Sequence, residues 1–116
     1  MTTTALRYRN AQDLSRRLHV GKGTIRRILG ISESTQSRYE KNNPILKPAI
    51  ADRLTRFQRL SQQALDLFED EAEAQRWLST PKAALDGETP LNALTTDGGA
   101  QRVEELLYRA AYGIFG

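Results

Sequence analysis

Residues 23–40 read GTIRRILGISESTQSRYE, and the architecture follows from how this run divides. Ile25, Ile28 and Leu29 recur at spacings of three and four, which places them on one face of a helix over 24–29. Gly30 is suited to the left-handed backbone that ends a helix. Ile31 can then bury itself, and Ser32 can cap a second helix over 33–41. The cluster Asn42-Asn43-Pro44 stops that helix, since Asn tolerates the left-handed region and Pro cannot continue. Two short amphipathic helices joined by a three-residue turn containing glycine form a helix-turn-helix.

Outward from this run the chain stays helical. Asn10 with Asp13 forms a weak capping pair for a helix over 11–18. Pro48 opens a long helix to about residue 69, with Ile50, Leu54, Phe57, Ala64, Leu65 and Phe68 as its apolar stripe. Asp70 and Glu73 resemble a capping box for a helix over 71–79. Thr80-Pro81 and Thr89-Pro90 each pair a capping residue with a first-turn proline, giving short helical turns over 81–85 and 90–95. Asp97-Gly98-Gly99 reads as a turn, and Val103, Leu106, Leu107, Ala110 and Ile114 keep a helical spacing for a last helix over 100–112, ended by Gly113. No run alternates with the period of a strand. The predicted class is all-α, in two parts, 1–60 and 61–116, that meet along the long helix.

The charge divides the same way. Residues 1–60 carry 13 Lys+Arg against 4 Asp+Glu, a net +9, while residues 61–116 carry 4 against 10, a net −6, within a chain total of +3. A basic half of this kind suits a polyanion partner. Several classes drop out. With no cysteine there is no disulfide scaffold, thiolate metal site or cysteine nucleophile, and with a single histidine, His19, a multi-His metal site or a His-activated nucleophile has little to stand on. The opening MTTTALRYRN lacks the apolar segment of a signal peptide, and no apolar run reaches the roughly 18 residues of a membrane span. The expectation is a cytoplasmic, non-enzymatic binding protein with no cofactor and no metal.

In a helix-turn-helix the second helix enters the major groove, and residues near its start reach base edges. Ser34, Gln36, Ser37, Arg38 and Lys41 supply the hydroxyl, amide and basic groups for that contact, and Arg26, Arg27 and Arg53 are placed for phosphates. A helical hairpin with solvated arginines is the plainer alternative. Gln36 departs from the pattern, because repressors of this type carry an apolar residue there. Either it points at the groove or the module is degenerate.

From residue 64 onward a second pattern accumulates: Ala72, Trp77-Leu78, Pro81, Ala84-Leu85-Asp86-Gly87, Thr89-Pro90-Leu91, Leu94, Gly98, Val103, Leu106-Leu107, Arg109 and Tyr112-Gly113-Ile114. This spacing resembles the C-terminal domain of the Xre/MbcA/ParS-type antitoxins of RES–Xre toxin–antitoxin modules, and the preceding helix-turn-helix would then be Xre/Cro-like. The resemblance implies a RES-domain toxin partner that degrades NAD⁺, steric inhibition of that toxin, repression of the protein's own operon at operator DNA, and a homodimer within a larger complex. It places Tyr108, Arg109, Tyr112, Gly113, Ile114, Phe115 and Gly116 toward the toxin. Ile114 and Phe115 can alternatively fold back on the last helix, and Trp77 is expected in the core. A stand-alone dimeric helix-turn-helix regulator is the competing function. The carboxylates Glu69, Asp70, Glu71 and Glu73 fit a solvated helix start, favoured there by the helix dipole, better than a catalytic pair.

Overall fold

The computed structural model describes residues 5–113, and every regular element in that range is helical. In chain order these are α1 (Tyr8–Leu18), α2 (Lys22–Leu29), α3 (Glu33–Asn42), α4 (Pro48–Phe68), α5 (Glu71–Ser79), a 3-10 turn (Ala83–Leu85), α6 (Pro90–Ala93) and α7 (Asp97–Ala111).

Short side-chain bonds set most helix starts. Ser32 Oγ accepts the Thr35 N–H at 3.1 Å, Asp70 caps α5 through the Ala72 N–H at 2.7 Å, and Thr89 Oγ1 accepts the Asn92 N–H at 3.1 Å. Gly30 ends α2 at φ 69°, a conformation that glycine adopts without a Cβ penalty. His19 ends α1 in the same left-handed region at φ 55° and lies exposed, consistent with a structural position for the lone histidine.

Four starts differ from the sequence reading, among them α2, which begins at Lys22 and not at Thr24. The Arg7 N–H donates to Asn10 Oδ1 at 2.9 Å, so Asn10 sits inside the first turn and α1 begins at Tyr8. The extended residues before it pair with the α3–α4 loop, through Leu46 N–H to the Leu6 carbonyl at 2.8 Å. Asp97-Gly98-Gly99 is not a turn but the first turn of α7, capped by Thr96, whose Oγ1 accepts the Gly99 N–H at 3.0 Å. Glycine is required there, because a Cβ on Gly99 would overlap the Ala93 carbonyl oxygen of α6. The turn expected over 81–85 is confined to Ala83–Leu85, and α6 stops at Ala93.

α4 organises the molecule. Leu54, Phe57, Leu60, Ser61, Ala64 and Leu65 are buried along it, and it packs against α2, α5 and α7. One apolar cluster runs from Tyr8 and Leu29 through Leu60 to Val103 and Leu107, so the two parts share a core across residue 60. Each fully buried leucine in that cluster stabilises by roughly 1.5–3 kcal/mol. Arg53, Arg56 and Arg59, at successive spacings of three, strap neighbours onto α4. Arg53 Nη1 donates to the Leu29 carbonyl at 3.1 Å, Arg56 pairs with Asp97 at 2.6 Å, and Arg59 pairs with Glu104. Arg17 of α1 reaches Glu71 of α5 at 2.7 Å. Pairs this exposed contribute about 0–1 kcal/mol each, so they orient the two parts more than they stabilise them.

Candidate functional site

The face presented by α3 follows from its period. Ser34, Ser37, Arg38 and Lys41, at i, i+3, i+4 and i+7, are all exposed and share one side. Arg38 Nη2 donates to Thr35 Oγ1 at 3.1 Å, which holds the guanidinium along the helix. The opposite side faces the core. Tyr39 packs edge-on against Tyr8 with ring centroids 5.8 Å apart, and Glu40 pairs with Lys22 at 2.9 Å. That hydrogen bond pushes the Lys22 ammonium above its ordinary value.

Gln36 lies on this inner side and is 5 % exposed, so it is not presented with the exposed stripe. Its Nε2 donates to Tyr8 Oη at 3.0 Å and to the Lys22 carbonyl at 2.9 Å, joining α3 to the starts of α1 and α2. An amide takes the place of an apolar residue because the buried Tyr8 hydroxyl needs a partner. Burial pushes the Tyr8 phenol above its ordinary value, with the Gln36 bond acting in the opposite direction.

The arginines of α2 divide. Arg27 is exposed, with Nη2 donating to Thr24 Oγ1 at 3.3 Å. Arg26 is drawn onto Glu33 at the start of α3, 2.7 Å away, and is mostly covered. Arg53 is also redirected: its guanidinium faces the C-terminal end of α2, where the helix dipole favours a cation.

The other end of the molecule carries a different surface. Tyr108 on α7 and Tyr112, the residue just past its end, are 60 % and 68 % exposed, and their rings lie tilted with centroids 4.6 Å apart. Beside them lies an open groove of about 570 Å³ between α4 and α7, lined by Gln63, Asp66, Leu67, Leu107, Tyr108 and Tyr112 among others. Arg109 is exposed on the far side, next to Glu105, and Gly113 turns the chain at φ 68°. Ile114, Phe115 and Gly116 lie outside the described residues.

The sequence reading missed Gln63, Asp66 and Leu67. The available signal was Leu67 itself, an apolar residue beside Phe68 but outside the stripe assigned to the long helix. Trp77 is half-buried at the edge of the core. Its ring lies 6.2 Å from Phe68, and Lys82 Nζ stands 5.0 Å above it. Among the described residues no group of three or more His, Cys, Asp or Glu is placed to hold a metal, and no helix is long and apolar enough to cross a membrane.

Comparison with known proteins matches both parts. Residues 4–59 match the Antitoxin Xre-like helix-turn-helix domain, and residues 63–113 match the Antitoxin Xre/MbcA/ParS C-terminal toxin-binding domain. An Antitoxin Xre of Pseudomonas putida is 38% identical over 78 residues, which cover 67% of this chain and 48% of that protein. An Antitoxin Xre of Yersinia enterocolitica is 33% identical over 97 residues, covering 83% of this chain and 66% of its own length. One of Photorhabdus laumondii is 36% identical over 95 residues, covering 81% and 64%. The chain thus spans about half to two-thirds of the length of these relatives. An outward polar and basic stripe on α3, an uncovered aromatic end on α7 and the two domain matches agree: the chain belongs to the Xre/MbcA/ParS-type antitoxins.

Proposed function

We propose that this chain neutralises a RES-domain toxin that degrades NAD⁺, and represses its own operon by binding operator DNA. The observation that carries the reading is the presence, around one shared core, of an exposed polar and basic stripe on α3 and an exposed tyrosine pair at the end of α7. The RES identity of the toxin rests on the resemblance of residues 64–116. Neutralisation needs no chemistry from this chain, because a segment lodged at the mouth of a nucleotide-binding cleft excludes the substrate by volume. Tyr108, Arg109, Tyr112 and Gly113 are the contacts proposed within the described residues, and Ile114, Phe115 and Gly116 extend them.

On the DNA side, Ser34, Ser37, Arg38 and Lys41 are the groove residues and Arg27 a phosphate contact. Arg26 joins them only by leaving Glu33. A homodimer would set two α3 helices against half-sites about 34–36 Å apart. The setting is cytoplasmic. Affinity for the DNA upstream of this reading frame, measured by fluorescence anisotropy across a salt series, tests the DNA half. Each phosphate contact contributes about 0.9 to the slope of log K against log salt. Arg38→Ala should weaken binding, and Arg27→Ala should reduce the slope by about one contact. Wild-type affinity and slope in both variants would sink the assignment.

A further inference from the structure

The groove between α4 and α7 is open, lined by both apolar and polar side chains, and lies beside two exposed tyrosines. Leu67, Leu107 and Ala111 form its floor and wall, and Tyr108 with Tyr112 forms its rim. Two adjacent exposed tyrosines beside leucines suit a contact site, since tyrosine is among the residue types that dominate interface energies.

The charges around the groove select the occupant. Of its lining residues only Asp66 and Glu104 are ionisable acids, and Glu104 is already paired with Arg59. Among the described residues Asp66 accepts only a neutral amide, from Gln62 Nε2 at 2.8 Å, and has no ion-pair partner. Glu105, beyond the Tyr108 ridge, has no ion-pair partner among the described residues. The nearby cation, Arg109, borders the smaller depression on the far side of Tyr108 and not the groove. A second copy docked groove to groove would bring two Asp66 carboxylates together, whereas a cationic segment would complete the site.

We propose that this groove seats an apolar side chain of the toxin flanked by arginine or lysine, with Asp66 taking the cation and Tyr108 and Tyr112 covering the apolar group. The inference rests on the toxin-binding reading above and extends it from α7 onto α4.

The test uses the full chain and the purified product of the reading frame adjacent to its own. Gln63→Arg and Asp66→Arg change exposed α4 residues at the groove, and Ala72→Arg adds the same single charge as Gln63→Arg on exposed α5, outside the groove lining. Melting curves and DNA affinity check that each variant is folded. Both groove variants should lose at least about tenfold in affinity for that product, or about 1.4 kcal/mol, while Ala72→Arg binds as wild type. Wild-type binding by folded groove variants, together with loss of binding on truncation after Tyr112, would overturn the groove and leave the toxin-binding reading standing. No binding by the wild-type chain would overturn both. Equal weakening by Ala72→Arg would reduce the effect to net charge and also overturn the groove.

Discussion

Gln36→Ala separates a structural glutamine from a DNA-reading one. The substitution removes both bonds made by Nε2. Tyr8 is 2 % exposed, so its hydroxyl oxygen would lose a buried partner. Such a buried group costs about 1–3 kcal/mol. The Lys22 carbonyl lies at a partly covered helix start, and water would recover part of its bond. That share is nearer 0.5–1.5 kcal/mol. The sum is about 1.5–4.5 kcal/mol, a large fraction of the stability of a domain this size. Urea unfolding followed by circular dichroism should show a lower midpoint at constant slope.

Tyr8→Phe with Gln36→Leu removes both polar partners together and should cost less than the two single changes added. The raised Tyr8 pKa adds a pH signature. The folded state holds the phenolic proton more tightly than the unfolded chain, so this contribution is present below the ordinary value of 10.0 and is lost as pH rises through the folded value. Tyr8→Phe should therefore flatten the alkaline decline. A Gln36→Ala protein within about 0.5 kcal/mol of wild type that nevertheless loses DNA affinity would refute the inward placement.

Other consequences follow from single contacts. Gly99→Ala should destabilise by about 1–3 kcal/mol in thermal melts, despite the higher helix propensity of alanine, because the new Cβ meets the α6 backbone. Ser61→Ala should be neutral or stabilising by up to about 1 kcal/mol in the same assay, since the buried Oγ has no hydrogen-bond partner. Arg56 holds the Asp97 carboxyl below its ordinary value, so the stability it contributes is present above that value and lost as pH falls through the folded one. An acid titration of Asp97→Asn should accordingly show a shallower loss of stability at low pH than wild type.

Much of the fold was legible because local chemistry and packing agree. Ser32 and Asp70 cap as their residue types suggest, Gly30 ends α2 with the expected left-handed backbone, and Leu54, Phe57, Ala64 and Leu65 of the α4 stripe are buried. The failures share a cause, tertiary contact overriding a local preference. Gly98 and Gly99 disfavour a helix, yet the close approach of Ala93 makes Gly99 the residue that lets α7 start early. The inward turn of Gln36 depends on Tyr8, twenty-eight positions away. Charge was similarly ambiguous. The split between a +9 half and a −6 half suggested two external partners, but Arg17, Arg56 and Arg59 are spent on Glu71, Asp97 and Glu104 across the two parts. Composition counts such charges without showing whether they face each other. The groove was hidden for the same reason, since Gln63, Asp66 and Tyr108 become neighbours only when α7 packs on α4.

The most direct test of the central claim is the cellular NAD⁺ level when the adjacent gene is induced with and without this chain. Induction alone should collapse NAD⁺ and arrest growth. Co-expression of this chain should restore both, and Tyr108→Ala with Tyr112→Ala should abolish the rescue while leaving DNA binding intact. NAD⁺ that is unchanged by the adjacent gene, or that falls equally with and without this chain, would contradict the account.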